Sequence, residues 1–186
     1  MTVTAETTGP EAITGTWAID PTHTTIGFTI RHAMIAKVRG RFAEFEGTFV
    51  IDGANVSAST ASLTIQSASF STDNADRDGH VKSADFLDVE NFPTLTFTST
   101  SAVQQGNAFT VTGDLTIHGV TQSVPVAFEL AGTSTDPWGG NRIGFEGTAE
   151  ISREAFGLTW NTALETGGVL ISDTVKLTLD VEAVKQ

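Results

Sequence analysis

Apolar and polar residues alternate with a period of two along most of this chain. In 24–30, Ile26, Phe28 and Ile30 alternate with Thr25, Gly27 and Thr29. In 107–117, Phe109, Val111, Leu115 and Ile117 alternate with Thr110, Thr112, Asp114 and Thr116. The same rhythm runs through Val124, Val126, Phe128 and Leu130, and through Val175, Leu177, Leu179 and Val181. It predicts strands with one dry face and one wet face. Threonine and β-branched residues favour the same state. Further strands are expected at 16–20, 38–51, 61–71, 94–103 and 142–152, separated by Asp52-Gly53, Gly106-Asn107, Gly119 and Asp136-Pro137-Trp138-Gly139-Gly140. Within 38–51, Phe45, Phe49 and Ile51 share a parity that Val38 and Phe42 do not, which predicts a bulge near Ala43. Helix is expected only near 77–87, where Val81 and Phe86-Leu87 form one side, with a short turn near 153–157. Many strands and little helix mean a sandwich or a barrel, and the pattern alone leaves both open.

At 186 residues the chain reads as one domain with a large core. Its 22 acidic against 10 basic residues give a net charge of −12. That balance argues against nucleic acid and against electrostatic attraction to an anionic membrane. The absence of cysteine excludes disulfides and thiolate chemistry. No segment has the apolar length of a membrane helix. MTVTAETTGPEAITG has neither Lys, Arg nor an apolar run, so residues 1–15 read as a flexible polar tail ahead of a domain at 16–186. With no secretory signal, the expected location is the cytoplasm.

Twelve of the 15 aromatics are Phe and none is Tyr. Phe supplies bulk without a polar handle, which suits either a dry core or an apolar ligand. Gly27, Gly40, Gly113, Gly147 and Ala149 interrupt the large residues on the strands. They leave a cavity or mark bends, and the pattern does not separate the two. The histidines, His23, His32, His80 and His118, lack helical i,i+4 spacing, so no metal site is expected. Asn74, Asp76, Asp78, Gly79 and Asp85 match much of a calcium-loop template. The first position is Asn rather than Asp, the last is Asp rather than Glu, and flanking helices are missing. There is no nucleophile elbow and no H-E-x-x-H, so no catalytic residue is assigned. The pairs Glu44/Glu46 and Asp76/Asp78 suit a solvated acidic face. Trp138 is expected in a turn, and Trp160 at a barrel mouth.

Three stretches carry a resemblance: IDPTHTTIGFTIRH at 19–32, RDGHVKSADFLDVENFPTLTF at 77–97 and GDLTIHG at 113–119. Together the chain resembles the YceI-like family, the lipocalin-like polyisoprenoid-binding proteins, from about Thr16 to Val184. The resemblance implies a closed antiparallel barrel of about eight strands around a tunnel, all-β but for the short helix. It implies a ligand such as a quinone tail, a polyprenyl phosphate or a carotenoid-like lipid, and no other cofactor. Many members are exported, and this chain departs from them. The dry lining expected inside such a barrel is Phe28, Ile30, Phe42, Phe49, Phe97, Phe109, Leu115, Phe128 and Phe145. The polar mouth is expected at His32, which matches the family's F-x-[IV]-x-H pattern, and at Arg77 and His80, which fit its R-D-x-H motif. A tail of roughly 40 carbons at about 0.3 kcal/mol per atom reaches about nanomolar affinity without a hydrogen bond. The same barrel would serve to sequester lipophilic toxins or antibiotics. An enzyme acting on a bound lipid would have only His32 and His80 for proton transfer, and neither has a partner visible in the sequence. Monomer and homodimer are both left open.

Overall fold

The alternating segments become eleven strands in the computed structural model, which describes residues 10–186. In chain order they are β1 (Gly15–Ile19), β2 (Thr25–His32), β3 (Ala36–Phe42), β4 (Phe45–Ile51), β5 (Thr60–Gln66), β6 (Phe70–Ser71), β7 (Thr94–Gln105), β8 (Ala108–Ile117), β9 (Val120–Thr135), β10 (Asn141–Ser152) and β11 (Thr174–Lys185). All pair antiparallel. Neighbours run β1-β4-β5-β7-β8-β9-β10-β11, and β1 pairs with β11 to close a ring of eight. Closure removes the sheet edges that a sandwich would leave. β11 is shared: its last residues pair with β1, while Lys176–Asp180 pair with β2. β2 carries β3, and β3 carries the two-residue β6.

The phase change in 38–51 marks the junction of β3 and β4. Phe42 and Phe45 are both turned inward across the two-residue break, and the Ala43 amide donates to the Ser69 carbonyl. The shift lets one continuous stretch pair with β2 at one end of the barrel and β1 at the other.

Two expectations need correction. Helix α1 runs Ala75–Lys82, beginning where the Asn74 side chain accepts from the Arg77 amide. It stops short of the expected 87, because Ser83 takes an extended conformation and its hydroxyl donates to the His80 carbonyl. The chain then folds back, with the Leu87 amide on the Val81 carbonyl, and this burial of Phe86 and Leu87 mimicked a helical face in the sequence. The expected tail of residues 1–15 lies outside the described residues as far as 9, as does most of the stretch on which the cytoplasmic expectation rests. From Pro10 on it is ordered: Pro10–Ile13 form a 3-10 turn, Ile13 is 1% exposed, and Trp17 Nε1 donates to the Ile13 carbonyl at 3.0 Å. Ile13 acts as a plug beneath Trp17, a packing role that a single apolar residue in a polar stretch does not announce. Among the described residues no helix is long and apolar enough to cross a membrane.

The buried residues form two clusters. One, with Ile13, Trp17, Ile51, Ile143 and Ala183, fills the end of the barrel where β1 begins. The other, with Phe70, Leu87, Leu95, Phe156 and Leu158, surrounds the opposite end.

Candidate ligand cavity

The barrel interior is not filled. A cavity of about 990 Å³ is walled by β2–β11, α1 and the segment that follows β10. All nine residues expected as lining border it: Phe28, Ile30, Phe42, Phe49, Phe97, Phe109, Leu115, Phe128 and Phe145. Phe109, Leu115 and Phe145 are buried. Phe49, Phe97 and Phe128 on the closed ring, and Phe28, Ile30 and Phe42 on the β2 and β3 strands that extend from it, border the cavity and are still only half-buried. A close-packed core would bury them. What they face is open space.

Glycines keep that space open. A Cβ on Gly147 would meet Phe128 first, its nearest ring atom 2.5 Å away. Gly147 stands opposite Phe128 in the β9–β10 ladder, so the ring lies flat along the wall over the missing side chain. Phe28 lies in the same way over Gly40, its partner in β3, and Phe97 over Gly113 in β8. This settles what the small residues do at these three positions: they seat rings against the wall.

At one end the wall becomes polar. Arg31, His32, Ala36 and Lys37 on the β2–β3 hairpin and Asp76 and Arg77 on α1 border the cavity and are exposed, so the cavity meets solvent there. A second exposed stretch borders it at Thr48, Val50, Thr60 and Ser62. His32 ends β2 and bridges to Ile171. His80 has a partner that the sequence did not reveal: its Nε2 lies 2.8 Å from an Asp85 carboxylate oxygen. Its ring packs edge-on against Trp160 at 4.6 Å and Phe86 at 5.1 Å. The pair is exposed to solvent rather than sealed in the cavity. Arg77 borders the cavity, but its guanidinium is already engaged, Nε donating to Thr72 Oγ1 and Nη2 to the Thr72 carbonyl. Asp78 binds the same threonine through its amide and hydroxyl. Arg77 and Asp78 thus clamp α1 onto the end of β6.

Arg153 was not anticipated. It is 4% exposed, and its guanidinium donates to the carbonyls of Ser172, Leu158, Trp160 and Ile171. Burial holds its pKa below the ordinary arginine value. It is the peg on which the 158–172 segment hangs at the mouth, and Trp160 takes its position from it. Asn161 adds a second tie, its amide donating to the Ile171 carbonyl at 2.7 Å. An arginine in SREAFG reads as a surface charge, and only the closure of the loop back onto β10 shows otherwise.

The candidate metal ligands have other occupations. In the stretch that matched the calcium template, Asn74 caps α1, Asp78 holds Thr72 and Asp85 holds His80. A cluster the sequence did not suggest joins Asp20, His23 and Glu182. Arg142 Nη1 reaches Asp20 at 2.8 Å and Glu182 at 2.6 Å, so a guanidinium already holds the position of a cation. The hydrogen bond from His23, and then that from Arg142, hold the Asp20 carboxyl well below the usual carboxylate range. A lowered folded-state pKa contributes stability that is present above the unfolded value of about 3.9 and is lost as pH falls below it. Asp20→Asn is therefore expected to flatten the acid limb of a melting-temperature profile below about pH 4. An unchanged limb in that variant would remove Asp20 from the account.

A family model described as the YceI-like domain matches residues 17–183. Protein YceI of Salmonella newport is 39% identical over 182 residues, which make up 97% of this chain and 92% of that protein. The crystal structure of the Campylobacter jejuni YceI protein is 30% identical, with a TM-score of 0.72 over 84% of this chain and 90% of that one. A polyisoprenoid binding domain from Saccharophagus degradans, implicated in plant cell wall breakdown, is 16% identical, with a TM-score of 0.69 over 91% and 98% of the two chains.

Proposed function

The chain belongs to the YceI-like domain family, and from that premise we propose that its barrel binds and carries one long apolar lipid of the polyisoprenoid class, a quinone or polyprenyl chain. The observation that carries this reading is the set of inward-facing phenylalanines left half-buried around a cavity of about 990 Å³. That volume stands at the upper end of the roughly 300–1,000 Å³ usual for small-molecule sites. The middle of the wall offers almost no hydrogen-bonding side chain, so a ligand with polar groups along its length would be left unsatisfied there. An isoprenoid tail has none. The charged groups gather at one end, which matches a molecule with a single head. His32 and His80 stand where that head would emerge, and Arg77 serves the mouth by fixing α1.

The fold of the Saccharophagus domain supports the reading, since its barrel is described as polyisoprenoid-binding. The placement of the titratable groups supports carriage rather than catalysis. The His80–Asp85 pair stands in solvent, away from the dry interior where a tail would lie.

Organic extraction of the native protein followed by mass spectrometry tests the proposal. The expected result is a polyprenyl-type lipid in stoichiometric amount. His32→Ala is expected to change head-group preference and leave tail retention intact. If the folded protein yields no lipid and takes up no polyprenyl quinone when offered one, the function is something else.

A further inference from the structure

We propose that the β2–β3 hairpin docks the protein on the surface of an anionic lipid bilayer, its tip entering the headgroup layer beside the cavity mouth. The proposal rests on the lipid-carrier reading for its purpose but on separate residues for its evidence.

The net charge of the chain conceals a local reversal. Residues 25–42 contain four of the ten Lys and Arg, namely Arg31, Lys37, Arg39 and Arg41, and none of the 22 Asp and Glu. Arg41 is paired with Asp73 at 3.0 Å. Arg31, Lys37 and Arg39 make no ion pair among the described residues. The ladder sets Arg31 directly opposite Lys37. Like charges in that position repel across the strands. An external anion relieves the repulsion; within the hairpin the Arg31 guanidinium reaches only the neutral Ile35 carbonyl, at 3.4 Å. None of the acidic groups nearby is on the hairpin itself: Asp76 is on α1, Asp85 follows it, and Glu165 is in the 158–172 segment. The hairpin is therefore the face that an anionic surface would meet first.

The tip is built for an apolar medium. Met34 is 58% exposed and Ile35 82% exposed, and Val169 on the neighbouring loop is also exposed. Short hairpin loops in water favour Asn and Gly, which accept positive φ cheaply. Here Ala33 and Met34 take φ of 50° and 62°. Two successive non-glycine residues in the left-handed region store strain, which the surrounding structure must hold. The Ala33 amide bonded to the Leu170 carbonyl, and the bridge from His32 to Ile171, do the holding. The strained turn thus keeps two large apolar side chains pointing away from the barrel. Basic residues behind an apolar tip are what an interfacial anchor needs: the side chains of Met34 and Ile35 enter, and Arg31, Lys37 and Arg39 meet the phosphates. The location gives the arrangement its sense, because Arg31, His32, Ala36 and Lys37 of the same hairpin border the cavity. A lipid would pass between bilayer and barrel without crossing water.

The test is flotation of the full chain with vesicles of phosphatidylcholine alone and of phosphatidylcholine mixed with phosphatidylglycerol. Binding to the mixed vesicles, its weakening in high salt and little binding to neutral vesicles are expected. Lys37→Gln with Arg39→Gln should weaken binding roughly 30-fold, at about fivefold per charge. Met34→Ser with Ile35→Ser should abolish what remains in high salt. An Ile35→Trp variant reports insertion directly, through a blue shift of its emission on the mixed vesicles. Each variant is first checked for an unchanged circular dichroism spectrum. Lipid retained without flotation on either vesicle, or an Ile35→Trp emission that does not move, overturns the docking proposal and leaves the carrier intact. Flotation by a protein that holds no lipid keeps the docking surface and overturns the carrier instead.

Discussion

Arg153→Met is expected to destabilise the protein by about 3–5 kcal/mol, the range for removing one member of a buried ionic or hydrogen-bonded set. The substitution keeps most of the side chain's bulk and removes every donor. The carbonyls of Ser172, Leu158, Trp160 and Ile171 would then be left facing a thioether. For a chain of this length the loss corresponds to a fall in melting temperature on the order of 10 °C. Arg153→Lys should recover only part of it, because an ammonium carries three donors on a flexible stem and cannot span four carbonyls in a plane. The loss should be localised as well. Hydrogen exchange is expected to rise in 158–172 before it rises in β8 or β9. A Met variant with a melting point near the parent's would show that the guanidinium does not organise the mouth.

Gly147→Ala is expected to reduce lipid loading several-fold while changing stability by less than about 1 kcal/mol. In a filled core an added methyl group against a ring costs about 1–3 kcal/mol. Here the nearest atoms it meets belong to Phe128, and that ring borders the cavity and has room to move into it. Phe128→Ala tests the same geometry from the other side. A fully packed phenylalanine would cost about 3–5 kcal/mol on truncation. Phe128 is half-buried, with Phe145 edge-on at 6.3 Å, so a smaller loss is expected together with poor retention of lipid. Denaturant melts and the lipid content of purified protein measure both arms. If Phe128→Ala shows the full loss and Gly147→Ala the full overpacking penalty, the barrel is a solid core.

Much of this architecture was legible because a strand writes its two faces into alternate residues. Phe28 and Phe128 read as inward from alternation, and the phase change between Phe42 and Phe45 located a real break in the strand. Parity cannot say whether an inward position is filled or faces space, since that depends on what the opposite wall contributes. The choice between barrel and sandwich likewise needed the closing pair of β1 and β11, whose partners lie at the two ends of the chain. The mouth was the least legible part. Arg153 and the His80–Asp85 contact are set by loops returning onto strand ends, with no period to betray them. The Asp20–Arg142–Glu182 group joins residues 122 and 40 positions apart, and sequence spacing carries no trace of it.

The three glycines beneath Phe28, Phe97 and Phe128 shift the origin of selectivity away from the surface a ligand touches. The bore of the barrel is set from behind the rings, by how closely each ring can lie on the neighbouring strand. A relative with every lining phenylalanine retained but with alanine at one of these glycines would have a narrower bore and accept a thinner or shorter guest. Homologues sorted by their lining residues alone would be grouped wrongly. Those sorted by the small residues that never meet the guest would fall into classes of calibre.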